Sequence, residues 1–227
     1  MNKIVGDVPG HVLGMLEDLM LKLRKGVLSP EELELFLKKK NPFALASDLL
    51  LDWQNFWKRM GVEADLRKVK IPKRSGFERT LFIPHGMTPQ KAYDLCAGKF
   101  NCWKSTNSSL DEAIGHEDRT AKNGAYAVSV RERIEPDEEL KHRSANDLVN
   151  MEIAGNTLTE ALVYELKYND ETGLHLNLVN WNLCSGSRIS GGRAPYVYRD
   201  ASDGDVGVYC TSPSFAYDYL RARQVVF

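Results

Sequence analysis

The chain has 227 residues, 43% hydrophobic and 27% charged, with 30 Lys+Arg against 31 Asp+Glu. That length makes one large domain, or one domain with an appended unit, and the composition excludes disorder, collagen and coiled coil as the overall class. A net charge of −1 excludes a polycationic coat for nucleic acid and an acidic solvating tail, while leaving room for a local basic patch.

The N-terminal segment Met1-Asn2-Lys3-Ile4-Val5-Gly6-Asp7 lacks a continuous apolar core of the kind that signal peptides carry. No apolar run approaches the ~18–20 residues that span a bilayer. The expectation is a cytoplasmic protein without a membrane partner. Cys96, Cys102, Cys184 and Cys210 do not follow a zinc spacing, and they read as reduced, buried thiols. No metal and no cofactor is expected.

The first 60 residues read as three helices. Val8, Val12, Leu13, Leu16, Met20, Leu21 and Leu23 recur near the helical period, and Gly26 is a stop. Ser29-Pro30-Glu31-Glu32 opens a second helix, with a capping hydroxyl, a proline at the first position and acids facing the positive end of the dipole. Leu33, Leu35, Phe36 and Leu37 supply its apolar face. Lys38-Lys39-Lys40 then sits in the last turn, and Asn41-Pro42 ends the helix. A third helix is expected from about Ala44 to Met60, closed by Gly61. Leu49, Leu50, Trp53, Phe56, Trp57 and Met60 face inward in this reading.

The character then changes. Arg67, Lys68, Lys70, Lys73, Arg74 and Arg79 fall in one short stretch broken by Pro72 and Gly76, with Glu78 as the one acid among them. This reads as an exposed basic connection. Residues 1–74 hold 14 Lys+Arg against 10 Asp+Glu, and the rest hold 16 against 21.

Thr80–Ile83 reads as a strand, and Thr88-Pro89-Gln90 opens a helix through Cys96. Residues 104–123 read as a long polar loop with one helical turn near Leu110–Ile114. Ala125–Arg131 alternates like a strand, and Glu135–Lys141 reads as acidic and solvated. Thr157-Leu158-Thr159-Glu160 has capping-box form and opens a helix ending near Asp170–Gly173. Glu160 and Glu165 read as dipole-facing and surface residues. A β-rich tail completes the chain. His175–Cys184 is one strand; Ala194–Arg199 and Val206–Cys210 form a hairpin around Asp203-Gly204, and Gln224–Phe227 is a short edge strand.

Trp181-Asn182-Leu183-Cys184-Ser185-Gly186-Ser187-Arg188 and Leu220-Arg221-Ala222-Arg223-Gln224-Val225-Val226 resemble an uncharacterised family of bacterial proteins. The likeness covers the last third of the chain. It implies no fold, activity or catalytic residue.

Chemistry is sought in three places. The loop from Cys184 to Arg193 comes after a strand and offers backbone N–H groups, hydroxyls and two guanidiniums. Ser185, Ser187, Arg188, Gly191, Gly192 and Arg193 are its candidate anion-binding set. Its spacing matches no phosphate loop, and its plain account is a flexible connection. Cys184 is the alternative nucleophile, with His85, His116, His142 or His175 as its base. His116-Glu117-Asp118 reads as solvated loop rather than metal site. The basic run is the candidate nucleic-acid surface, through Arg67, Lys68, Lys70, Lys73, Arg74 and Arg79, with Phe77 and Phe82 near enough to stack on bases.

The expected fold is α+β, a three-helix N-terminal unit packed on a mainly antiparallel sheet from the C-terminal two-thirds. The expected divisions are residues 1–66, a basic linker at 67–76, and 77–227. The expected function is non-catalytic binding, with nucleic acid as first partner. An enzyme using the 184–193 loop is the alternative. A protein-interaction module using Trp53 and Trp57 is the third reading, and burial of that face removes it.

Overall fold

The computed structural model describes residues 10–37, 46–200 and 202–227. The readings of the N-terminal heptapeptide, Val8, the Lys38–Lys40 turn, the Asn41-Pro42 stop and the helix start near Ala44 lie outside those residues. The chain divides into two compact units, Met1–Leu51 and Asp52–Phe227.

In the smaller unit, α1 spans Gly10–Arg24 and α2 spans Pro30–Leu37. Gly26 ends the first at φ +67°, a left-handed conformation that glycine enters without steric cost. The Glu32 carboxylate accepts the Ser29 N–H at 2.7 Å and the Ser29 hydroxyl accepts the Glu32 N–H at 3.1 Å, a reciprocal cap on the second. Leu13, Met15, Leu16, Met20 and Leu21 are exposed on α1.

The third helix, α3 (Ala46–Arg59), crosses the division. Its aromatic residues at i, i+3 and i+4 share one face, and Trp53, Phe56 and Trp57 are buried in the larger unit. The Trp57 indole N–H donates to the Phe82 carbonyl at 3.1 Å. Residues 52–66 thus belong to the larger unit, and the protein-interaction reading of Trp53 and Trp57 is corrected by their burial.

The larger unit is α+β. Strand β1 (Arg79–Ile83) pairs antiparallel with β4 (Tyr126–Val130). A five-stranded sheet has the order β2-β8-β7-β5-β9, from Cys102–Lys104, Val206–Thr211, Ala194–Arg199, Trp181–Leu183 and Leu220–Ala222. Its inner pairs are antiparallel, and its edge strands β2 and β9 join in parallel. A third pair, β3 (Ile114–Glu117) with β6 (Ser187–Ile189), is antiparallel. Short helices α4 (Pro89–Ala97), α5 (Leu110–Ala113) and α6 (Ala145–Asn150) lie between strands.

Helix α7 (Leu158–Thr172) is the core element, buried continuously from Leu158 to Lys167. Thr157 and Glu160 form the expected capping box, and Gly173 closes the helix at φ +70°. Among the described residues no helix is long and apolar enough to cross a membrane.

Several local expectations are corrected. The long loop at 104–123 has its expected helical turn, α5, but also contains strand β3, because the Ile-Gly-His-Glu sequence finds its partner strand about seventy residues later. Only Trp181–Leu183 of the expected strand 175–184 is paired. The stretch before it instead wraps the Glu135 carboxylate, which accepts the N–H groups of Leu178, Val179 and Asn180 at 3.0, 3.1 and 2.8 Å. The 135–141 segment is therefore structural rather than merely solvated. The C-terminus makes isolated bridges, Gly155 with Gln224 and Ser129 with Val226, rather than an edge strand.

Candidate functional site

A groove of about 360 Å³ is lined by Lys68, Val69, Lys70, Arg119, Tyr126 and Phe227, among others. Its first wall is the start of the basic run. Leu66 is buried and accepts the Val69 N–H at 3.1 Å, which turns the chain so that Lys68 and Lys70 face solvent. Neither lysine has an ion-pair partner at 4.0 Å or less among the described residues. Pro72 is tied down behind them by the Ser129 hydroxyl, which donates to its carbonyl at 3.0 Å.

The groove's other wall is set by α7. Glu160 is fully buried and accepts both Arg119 Nε (2.8 Å) and Nη2 (2.9 Å), while the Tyr126 hydroxyl donates to it at 3.1 Å. A second contact from Arg119 Nη2 reaches the Gly155 carbonyl at 2.6 Å. The guanidinium lies 4.9 Å from the centre of the Phe227 ring, which is 71% exposed. That ring is carried by Val226, whose backbone exchanges two hydrogen bonds with Ser129 at 2.8 and 2.9 Å. Two lysines therefore line the same groove as an aromatic ring that lies beside an arginine paired with Glu160.

The other members of the basic run go elsewhere. Arg67 is paired with Asp65 at 2.8 Å, and the same guanidinium holds the Asp65 carboxyl below its usual range. Arg79 is paired with Glu171 at 2.6 Å. Arg74 lies 5.1 Å from the Phe77 ring, and Lys73 is exposed. Phe77 and Phe82 are buried, so the ring available for stacking is Phe227, which the sequence reading missed. No local sequence signal marks it, because the pairing of Val226 with Ser129 that places it is made across the fold.

The 184–193 loop is assembled differently from a single anion cradle. Ser187 is buried, accepts the Leu158 N–H at 2.8 Å and donates to Glu117 at 3.1 Å. Gly186 lies against the 155–156 backbone, and a Cβ there would sit 2.7 Å from the Gly155 oxygen. Ser185 is buried as well. Arg188 folds back on its own loop, with Nη1 donating to the Ser185 and Ser187 carbonyls at 2.7 and 2.8 Å. Arg193 donates to the Cys210 carbonyl at 3.0 Å and lines a separate, largely apolar cavity of about 250 Å³. Gly191 and Gly192 form an exposed turn at φ +99° and +86°. The two guanidiniums are thus committed to different carbonyls.

Cys184 is fully buried, and burial pushes its thiol well above the ordinary range, so it stays protonated at neutral pH. His85 bonds the Lys122 carbonyl; His116, His142 and His175 bond Asp118, Asp218 and Glu165. Among the described residues no group of three or more His, Cys, Asp and Glu side chains is arranged to hold a metal ion.

Glu117, Glu160 and Glu165 correct the surface readings given to them. Glu160 and Glu165 are buried in the core. Glu117 accepts the Thr159 N–H (3.2 Å) at the start of α7, along with the hydroxyls of Thr159 (3.0 Å) and Ser187 (3.1 Å). Burial outweighs those bonds and pushes its carboxyl from 4.5 up to about 7. A raised carboxyl stabilises the fold fully below 4.5, and that contribution is lost as pH rises through about 7. Relative to Glu117→Gln, the native protein should lose up to about 3 kcal/mol between pH ~4 and pH ~8. Urea unfolding at both pH values checks this, and parallel profiles for the two proteins would overturn it.

No family model matches this chain, no curated protein matches its sequence, and no solved structure matches its fold.

Proposed function

We propose that the protein is a non-catalytic cytoplasmic accessory protein that binds single-stranded nucleic acid in the groove between Lys68–Lys70 and Phe227. The carrying observation is the pair of lysines without ion-pair partners, among the described residues, beside a largely exposed ring. Lysines of this kind neutralise phosphates and release counterions, while an open ring accepts the face of any base. Lys73, exposed farther along the run, extends the basic track beyond the groove. The absence of a base-reading motif from the sequence fits binding that is tolerant of sequence.

Replacing Lys68, Lys70, Lys73 and Arg74 with Gln should weaken binding of a fluorescent oligo(dT) and of mixed-sequence strands alike. The slope of log affinity against log salt should flatten by about 0.7 for each lost phosphate contact. Phe227→Ala should weaken binding about fivefold or more, the loss of one stacked base, without changing the slope. Anisotropy titrations at several salt concentrations give both quantities. Native protein that fails to bind single strands at low salt overturns the proposal.

A further inference from the structure

The five-stranded sheet carries an aromatic face whose middle packs on a cluster with Leu140, Ala145 and Leu148 and whose ends form a second surface. In β7, Tyr196 and Tyr198 alternate with Val197, and Tyr196 pairs in register with Tyr209 of β8 and Leu183 of β5. Tyr198 pairs with Gly207, which in turn pairs with Trp103 of β2. Alternation therefore sends Trp103, Tyr209, Tyr196, Tyr198 and Trp181 to one face. Val197, Val206 and Val208 go to the other side and are buried.

The rings form one connected row. Centroid separations are 4.5 Å from Trp103 to Tyr209, 6.0 Å on to Tyr196, and 5.0 Å on to Trp181. The row continues 4.6 Å to Tyr219, 5.3 Å to Tyr217 and 5.3 Å to Phe215. Tyr198 touches Trp181 and Tyr209 at 5.2 and 5.5 Å. Its ring lies directly over Gly207, where a Cβ would come within 2.3 Å of it. The middle of the row is packed, and the ends are open: Trp103 is 45% exposed, Phe215 46%, and Tyr217 and Tyr219 41% each. Rings braced in this way lose little freedom on binding, which is the economy that Tyr- and Trp-rich recognition surfaces use.

Charge decides the occupant. The loop joining β7 to β8 holds Asp200, Asp203 and Asp205 and no lysine or arginine, while Asp218 of the β8–β9 loop lies 3.0 Å from His142. The Arg199 side chain is turned inward onto the Gly204 carbonyl at 3.3 Å. Asp200 and Asp203 bond their own turns, through Ser202 and the Asp205 N–H. An acidic rim repels phosphates and attracts guanidinium and ammonium groups, which also favour the faces of Tyr and Trp rings.

We propose that this face docks a protein partner through an arginine- or lysine-bearing segment. The cationic side chains seat on Trp103, Tyr217 and Tyr219, and their charge is met by the three aspartates of the β7–β8 loop. The site is separate in residues and in charge from the groove assigned to nucleic acid, so either assignment can fail alone.

The test uses the full chain and four probes: a peptide of Arg-Ser-Gly repeats, the same peptide with citrulline for arginine, oligo(dT) and cellohexaose. The arginine peptide should bind saturably and the citrulline peptide at least about tenfold more weakly, since the urea group keeps the shape of the guanidinium but not its charge. Tyr217→Ala with Tyr219→Ala should weaken the arginine peptide about tenfold or more. Both side chains are exposed, and unchanged circular dichroism verifies the fold. Asp203→Asn with Asp205→Asn should weaken it about threefold and reduce its salt dependence, which a change in packing would not do. No binding of the arginine peptide, equal binding of the citrulline peptide, or unchanged affinity in the tyrosine variant overturns the proposal. So does oligo(dT) or cellohexaose binding that is lost in the tyrosine variant.

Discussion

Replacing Trp53 with alanine is expected to destabilise the protein by about 3–5 kcal/mol. The side chain is 1% exposed and meets Phe56, Trp57 and Phe82 at centroid distances of 5.4, 6.0 and 5.7 Å. Its removal leaves a cavity whose walls are themselves rigid rings, so little collapse can fill it. The Lys167 ammonium, itself buried, also lies 5.2 Å from the Trp53 ring and would lose that partner. Lys167 is held by Asp52 at 2.6 Å and Glu171 at 3.1 Å, so its charge remains compensated and the loss is mainly one of packing. Urea denaturation measures the effect, and an unchanged midpoint would contradict the assignment of α3 to this core.

Glu160→Ala is expected to cost a similar amount, about 3–5 kcal/mol, for a different reason. One carboxylate closes the capping box on the Thr157 N–H at 2.9 Å, takes two bonds from Arg119, and accepts the Tyr126 hydroxyl. Without it the Arg119 guanidinium, 10% exposed, faces the core uncompensated. A buried charge stripped of its partner is costly because the surrounding protein cannot replace its hydration. Glu160→Ala together with Arg119→Met should recover part of the loss, since the double change removes both charges. Thermal and urea unfolding of the single and double variants measure the coupling. Additive losses would show that Glu160 acts through its cap alone.

The C-terminal helix illustrates how far the sequence reaches. Thr157, Glu160 and Gly173 mark the ends of α7 because a cap is local, made by groups three residues apart or by one residue's φ. The side on which Glu160 and Glu165 lie was not legible. Both have the composition of surface residues, and burial of a carboxylate depends on distant partners such as Arg119 and His175. Strand β3 escaped for the same reason, since nothing in Ile-Gly-His-Glu announces Ser187–Ile189 as its partner.

The candidate surfaces divide in the same way. Lys68 and Lys70 stand out in the sequence as charge, whereas Phe227 becomes part of their groove only through the pairing of Val226 with Ser129. The aromatic residues of β7 and β8 read as ordinary strand formers until register sets Trp103, Tyr209, Tyr196 and Trp181 side by side. The Cys184–Arg193 loop suggested chemistry by composition, yet its hydroxyl and guanidiniums serve the start of α7 and nearby carbonyls. The α+β class, the capped ends of α7 and the location of the basic run were legible along the chain, because propensity, capping and charge are properties of neighbours; helix α6 (Ala145–Asn150) was not read. Burial, pairing and the composition of each face were decided only by the tertiary structure, because they depend on which distant segments exclude water from one another.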